Sequence, residues 1–261
     1  MRRSIRRLAV GLGVLALVTA CAHSASADTW ANTVEGPGGN DITINTTFAN
    51  ASGSSSVGTS GVQFSTTFYT SDSLSSPAGP AFRTFCVDLS SYLGNGGSGP
   101  FDVPVTVTSG TSTDRLGNTQ NIGAAGWVVN TYENYTNAQF DTLGGVSGVT
   151  NAQANTALQM AVWEATYNGG TSVNNTGANL YFTGSGTDFS NEVSIANAIL
   201  AARGSQVSAV GFIQYEAQNP NGYYYSQDMI FAIPAPEPSS LAIAGLGMLG
   251  FVGYGLRRKR S

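Results

Sequence analysis

Asn151-Ala152-Gln153-Ala154-Asn155-Thr156-Ala157-Leu158-Gln159-Met160-Ala161-Val162-Trp163-Glu164-Ala165-Thr166-Tyr167 sets Ala154, Leu158, Ala161, Val162 and Ala165 three and four positions apart. That period predicts an amphipathic helix over 151–167. Upstream, Ile122, Ala125, Val129 and Tyr132 repeat the pattern within Ile122 to Tyr135. Downstream, Asp188 to Arg203 reads as a third helix, stopped by Gly204. Farther out the period falls to two. Asp41-Ile42-Thr43-Ile44-Asn45, Val62-Gln63-Phe64-Ser65 and Phe101 to Thr108 alternate as half-buried strands. Ala81 to Tyr92 is another strand, with Phe85 and Val87 on one face and Thr84, Cys86 and Asp88 on the other. Val207 to Ala217 and Tyr223 to Ile233 follow, joined by the turn formers Asn219-Pro220-Asn221-Gly222. The expected fold class is α+β: a mostly β domain with a helical insert and no internal repeat.

The two ends are of different character. Arg2, Arg3, Arg6 and Arg7 precede an uncharged run from Leu8 to Thr19, and Ala25-Ser26-Ala27 supplies small residues for cleavage. This is the layout of a secretory signal peptide over 1–27, cut by signal peptidase between Ala27 and Asp28. Val18-Thr19-Ala20-Cys21 offers an alternative, a lipoprotein box with Cys21 as the acylated residue. At the other end, Pro234-Ala235-Pro236-Glu237-Pro238 leads into an uncharged run to Leu256, then Arg257-Arg258-Lys259-Arg260. With its flanking serines the run 239–256 is long enough for a membrane helix, and the four cations hold its end on the cytoplasmic side.

Between these ends, 28–233 is long enough for one ectodomain with a sizeable core. It carries three arginines, Arg83, Arg115 and Arg203, no lysine, and fourteen Asp and Glu, a net charge of −11. That balance argues against nucleic acid and anionic membrane surfaces as partners. The sole histidine, His23, lies in the signal peptide, so histidine-dependent nucleophiles and imidazole metal sites drop out. No metal or cofactor is expected and the chain does not read as an enzyme. Cys86 is the one cysteine left after cleavage at Ala27. It is free, paired with another molecule, or bonded to something other than sulfur.

Pro236-Glu237-Pro238, a short Gly/Ala/Leu helix and an Arg-rich end together resemble the PEP-CTERM sorting signal of Gram-negative bacteria over 234–261. The resemblance implies an exosortase as partner, cutting near the Pro-Glu-Pro motif and passing the ectodomain to the envelope, the surface or an extracellular matrix. It also implies adhesion or biofilm work beside extracellular polysaccharide.

Phe85-Cys86-Val87-Asp88-Leu89 and Leu158-Gln159-Met160-Ala161-Val162-Trp163 resemble the paired motifs of thioester domains in surface adhesins of Gram-positive bacteria. That resemblance implies an internal thioester joining Cys86 to Gln159, with Phe85, Asp88 and Trp163 shielding or supporting it. Such a bond would acylate an amine or hydroxyl on a surface partner. Leu158 departs from the threonine frequent in that family. The sequence pattern puts Gln159 at the flank of its helix, turned toward Cys86. A non-covalent structural or carbohydrate-binding module is the alternative. A carboxylate-dependent hydrolase would use Glu133 and Glu164 as acid and base.

Overall fold

The computed structural model describes residues 30–35, 38–48, 56–61, 64–69, 75, 77–89, 101–170, 172–215 and 227–233. The cleavage site at Ala25 and Ala27, the turn at 219–222 and the whole C-terminal tail lie outside them. Among the described residues no helix is long and apolar enough to cross a membrane.

Twelve strands and four helices are described. The strands are β1 (Trp30–Glu35), β2 (Asp41–Thr46), β3 (Ser56–Ser60), β4 (Phe64–Tyr69), β5 (Phe82–Cys86), β6 (Phe101–Asp102), β7 (Val105–Thr108), β8 (Thr111–Thr113), β9 (Thr119–Asn121), β10 (Leu180–Thr183), β11 (Val210–Ile213) and β12 (Met229–Phe231). The helices are α1 (Ile122–Tyr132), α2 (Asn137–Gly144), α3 (Asn151–Tyr167) and α4 (Gly186–Arg203). The α+β class holds, as a sheet-rich domain whose helices fall between β9 and β11.

The main sheet runs β6-β1-β4-β5-β12-β11-β7, and all its pairs are antiparallel. Its two edge strands are nearly consecutive in sequence: Val103 and Pro104 alone separate β6 from β7. The three steps from Asp102 to Val105 span roughly 10 Å at full extension, so the edges must approach each other and the sheet curls like an open barrel. The alternating run from Phe101 to Thr108 is therefore two strands, broken where Pro104 withholds a ladder donor. A second sheet, β10-β2-β3, and the hairpin β8-β9 complete the β layer.

Helix α3 is the centre of the domain. It packs on α4, α1, β5, β9 and β10, and Gln153, Ala154 and Thr156 to Thr166 are all buried. A helix enclosed on every side is a core helix, so Gln159 is not at a flank. Thr150 and Gln153 form a reciprocal capping box at its start, with bonds of 3.2 and 2.8 Å. Gly61 allows the close approach of the β layer, since a Cβ there would lie 2.7 Å from the Thr156 Cα.

Other sequence expectations move by a few residues. Helix α1 stops at Tyr132 rather than Tyr135, and α4 starts at Gly186. β5 ends at Cys86, and Phe85, Cys86, Val87, Asp88 and Leu89 are buried together instead of alternating. The segment after the strand runs inside the molecule, covered on both sides.

Candidate functional site

Leaving β5, the chain from Cys86 to Leu89 has its backbone groups met largely by side chains. The described ladder between β4 and β5 ends at Phe64 opposite Thr84. At Cys86 the carboxamide of Gln159 takes over: the Cys86 N–H donates to Gln159 Oε1 at 3.2 Å, and Gln159 Nε2 donates to the Cys86 carbonyl at 2.8 Å. Complementarity to both backbone groups fixes which amide atom is which. On the other side Val87 donates to the Asp228 carbonyl at 2.9 Å. Gln120 Nε2 donates to the Val87 carbonyl at 2.8 Å, and Leu89 N–H donates to the Tyr167 hydroxyl at 3.0 Å.

Helix and strand are matched in length. Gln159, Trp163 and Tyr167 stand four residues apart on one face of α3, about 12 Å from first to last. Cys86 to Leu89 covers about 10 Å of extended chain. Gln159 therefore meets Cys86 while Tyr167 meets Leu89. The β8-β9 hairpin supplies the remaining support: Asp114 caps its own turn by accepting from Leu116 and Asn118, and also accepts from the Tyr167 hydroxyl at 3.1 Å. Gln120, on β9, is carried beside Val87 by the same hairpin.

Cys86 and Gln159 are both 0% exposed. The thiol donates to the Asp88 carbonyl at 3.1 Å. Burial pushes the Cys86 pKa well above its ordinary value, and the Asp88 carboxylate pushes the same way. The resting sulfur is thus a neutral thiol. Phe85 is buried in the apolar core, and Trp163 is buried one helical turn beyond Gln159. Asp88 contributes its carbonyl as acceptor, while its charge opposes ionisation of the thiol.

This geometry can support one reaction within the protein. The Gln159 carboxamide is held at both ends against the backbone of the residue that bears the thiol, which is the positioning an attack of Sγ on Cδ would need. The Cys86 N–H already points at Oε1, the atom on which negative charge would develop during attack.

Glu133 and Glu164 are not brought together. Glu133 lines a cavity of about 560 Å³ with Phe68, Phe82, Arg83 and Phe231. Glu164 lines a different one, about 330 Å³, with Asn168, Gly170, Ser172 and Asn175. Burial lifts the Glu164 pKa to about 7, against a hydrogen bond from Asn168 Nδ2 at 2.9 Å. No group of three or more His, Cys, Asp or Glu side chains suited to a metal ion occurs among the described residues.

Tyr167, Gln120 and Asp114 were not anticipated from sequence. The spacing of Tyr167, four residues beyond Trp163, carried the one available signal. The hairpin partners carried none, because their role depends on a pairing that only the fold creates.

No curated protein and no solved structure matches the chain. The PEP-CTERM protein-sorting motif matches residues 234–259, which include Pro236, Glu237, Pro238 and the cations Arg257, Arg258 and Lys259. By that motif the chain is an exported, extracellular protein sorted by an exosortase.

Proposed function

We propose that this is a surface or matrix protein of a Gram-negative cell whose domain closes an internal thioester between Cys86 and Gln159, and that it attaches covalently to an amine- or hydroxyl-bearing partner in adhesion or biofilm structure. It acts as a binding protein and not as an enzyme. The observation that carries the reading is the paired hydrogen bond between the Gln159 carboxamide and the Cys86 backbone, across 73 residues of sequence and with no exposure to water.

In the closing step Sγ adds to Cδ, Oε1 takes the charge under the Cys86 N–H, and Nε2 leaves as ammonia with the thiol proton. Atoms balance without an oxidant. The lysine-free ectodomain has no ε-amine with which to consume its own electrophile.

A second reading, a non-covalent structural or carbohydrate-binding module, is favoured by the same two hydrogen bonds, since they complete a strand edge without any covalent chemistry. Methylamine separates the two. A thioester takes up one methylamine at Gln159 and releases a thiol at Cys86 that then alkylates; an unbonded pair takes up none.

A further inference from the structure

We propose that the indole N–H of Trp163 is the hydrogen-bond donor that receives negative charge on the Cys86 sulfur, making Trp163 a catalytic residue of thioester closing and opening and more than a cover over the bond. The inference rests on the thioester reading.

Trp163 is 3% exposed, and its Nε1 has no hydrogen-bond acceptor among the described residues. Leaving a buried N–H unpaired costs about 1–3 kcal/mol, so each such group calls for an explanation. Packing alone does not require it, because a phenyl ring would fill much of the same space with no N–H to satisfy. The ring is held in place by stacking on Phe182, with centroids 6.2 Å apart and planes 18° apart.

The position supplies the explanation. Trp163 stands one helical turn beyond Gln159, on the same face of α3. Its N–H lies beside the Cys86 sulfur, where it favours the thiolate. The other groups acting on that sulfur mostly oppose a charge: burial first, then the Asp88 carboxylate, then the Asp228 carboxylate, with the Asp88 backbone alone assisting Trp163. In the resting protein the thiol is turned to the Asp88 carbonyl and the indole N–H is idle. An idle donor that gains an acceptor when charge appears stabilises the transition state more than the ground state.

Opening runs as follows in atoms. An amine adds to Cδ, the Cδ–Sγ bond breaks, and the electron pair stays on Sγ, which accepts from Trp163 Nε1–H. The proton lost by the amine nitrogen then goes to the sulfur, leaving an amide at residue 159 and a free Cys86 thiol. Closing reverses these steps.

The test uses the purified mature protein and its Trp163→Phe variant, with methylamine as nucleophile and intact mass as readout across pH. Trp163→Phe is expected to show the mass deficit of one ammonia, and to open and reclose roughly ten- to a hundredfold more slowly, the range of a hydrogen bond to a charged group. Its pH–rate profile should move to higher pH, a change that loss of packing would not produce. Opening of Trp163→Phe at the wild-type rate overturns the inference and leaves the thioester standing. A wild-type protein of full mass overturns the thioester and this inference with it. Should Trp163→Phe fail to acquire the deficit, 3-benzothienylalanine at position 163 keeps the bicyclic shape with sulfur in place of N–H. Slow opening in that protein supports the role, and wild-type opening refutes it.

Discussion

Replacing Cys86 by alanine separates the covalent account from the packing account. Both Gln159 hydrogen bonds go to the backbone of residue 86, so the variant retains the means to make them. What it loses is the bond. Cys86 and Gln159 are 73 residues apart, and tying such a loop shut in the unfolded chain is worth about 4 kcal/mol by the chain-entropy relation for cross-links. Removing one small buried sulfur costs about 1 kcal/mol more. The variant recovers about 1 kcal/mol, because its Gln159 keeps the amide nitrogen that donates to the carbonyl of residue 86. The net expected loss is therefore about 4 kcal/mol, a large share of the 5–15 kcal/mol typical of a domain. Urea titration of the mature protein and the variant measures it, with the wild-type mass checked before and after. The slope of the transition should also rise in the variant, since an uncross-linked chain exposes more surface on unfolding. A difference of about 1 kcal/mol with equal slopes would refute the reasoning, because packing alone accounts for that.

Two further outcomes follow from the surroundings of α3. The folded-state pKa of Glu164 is raised to about 7 from an ordinary 4.5, so folding favours its protonated form. Its carboxyl is best tolerated below pH 4.5, and stability is lost as pH rises toward 7, by about 3 kcal/mol for this group. Glu164→Gln should flatten that fall in thermal melts between pH 4.5 and 8, and an unchanged slope would contradict the assignment. Gly61→Ala would place a Cβ 2.7 Å from the Thr156 Cα, so it should destabilise by about 1–3 kcal/mol in urea, whereas a neutral result would mean the β layer can withdraw from α3 freely.

The helices were the most legible part of the fold. Helix α3 spans Asn151–Tyr167, the segment its spacing indicates, because Ala154, Leu158, Ala161, Val162 and Ala165 form an unbroken apolar face and Thr150 with Gln153 caps it. Helix α2 is hard to read for the opposite reason: Phe140 is its one buried residue, and its signal is the capping box of Thr136 and Gln139. β10 leaves little trace in the sequence because it is four residues long and draws its order from pairing with β2. At the site, Cys86 and Gln159 stood out by residue type and motif, and the fold brings them into contact. The depth of Gln159 did not show, since a polar side chain in a helix reads as surface until a strand edge is found that needs its donor and acceptor. The same holds for Gln120 and Asp114, whose partners are carbonyls and hydroxyls made available by distant segments.

The most direct test of the account is the intact mass of the mature exported protein, purified without amines. A thioester between Cys86 and Gln159 predicts a mass one ammonia below that calculated from the sequence, and Cys86→Ala and Gln159→Ala variants at their full calculated masses. Full mass in the wild-type protein, with Cys86 alkylating as a free thiol once denatured, would contradict it.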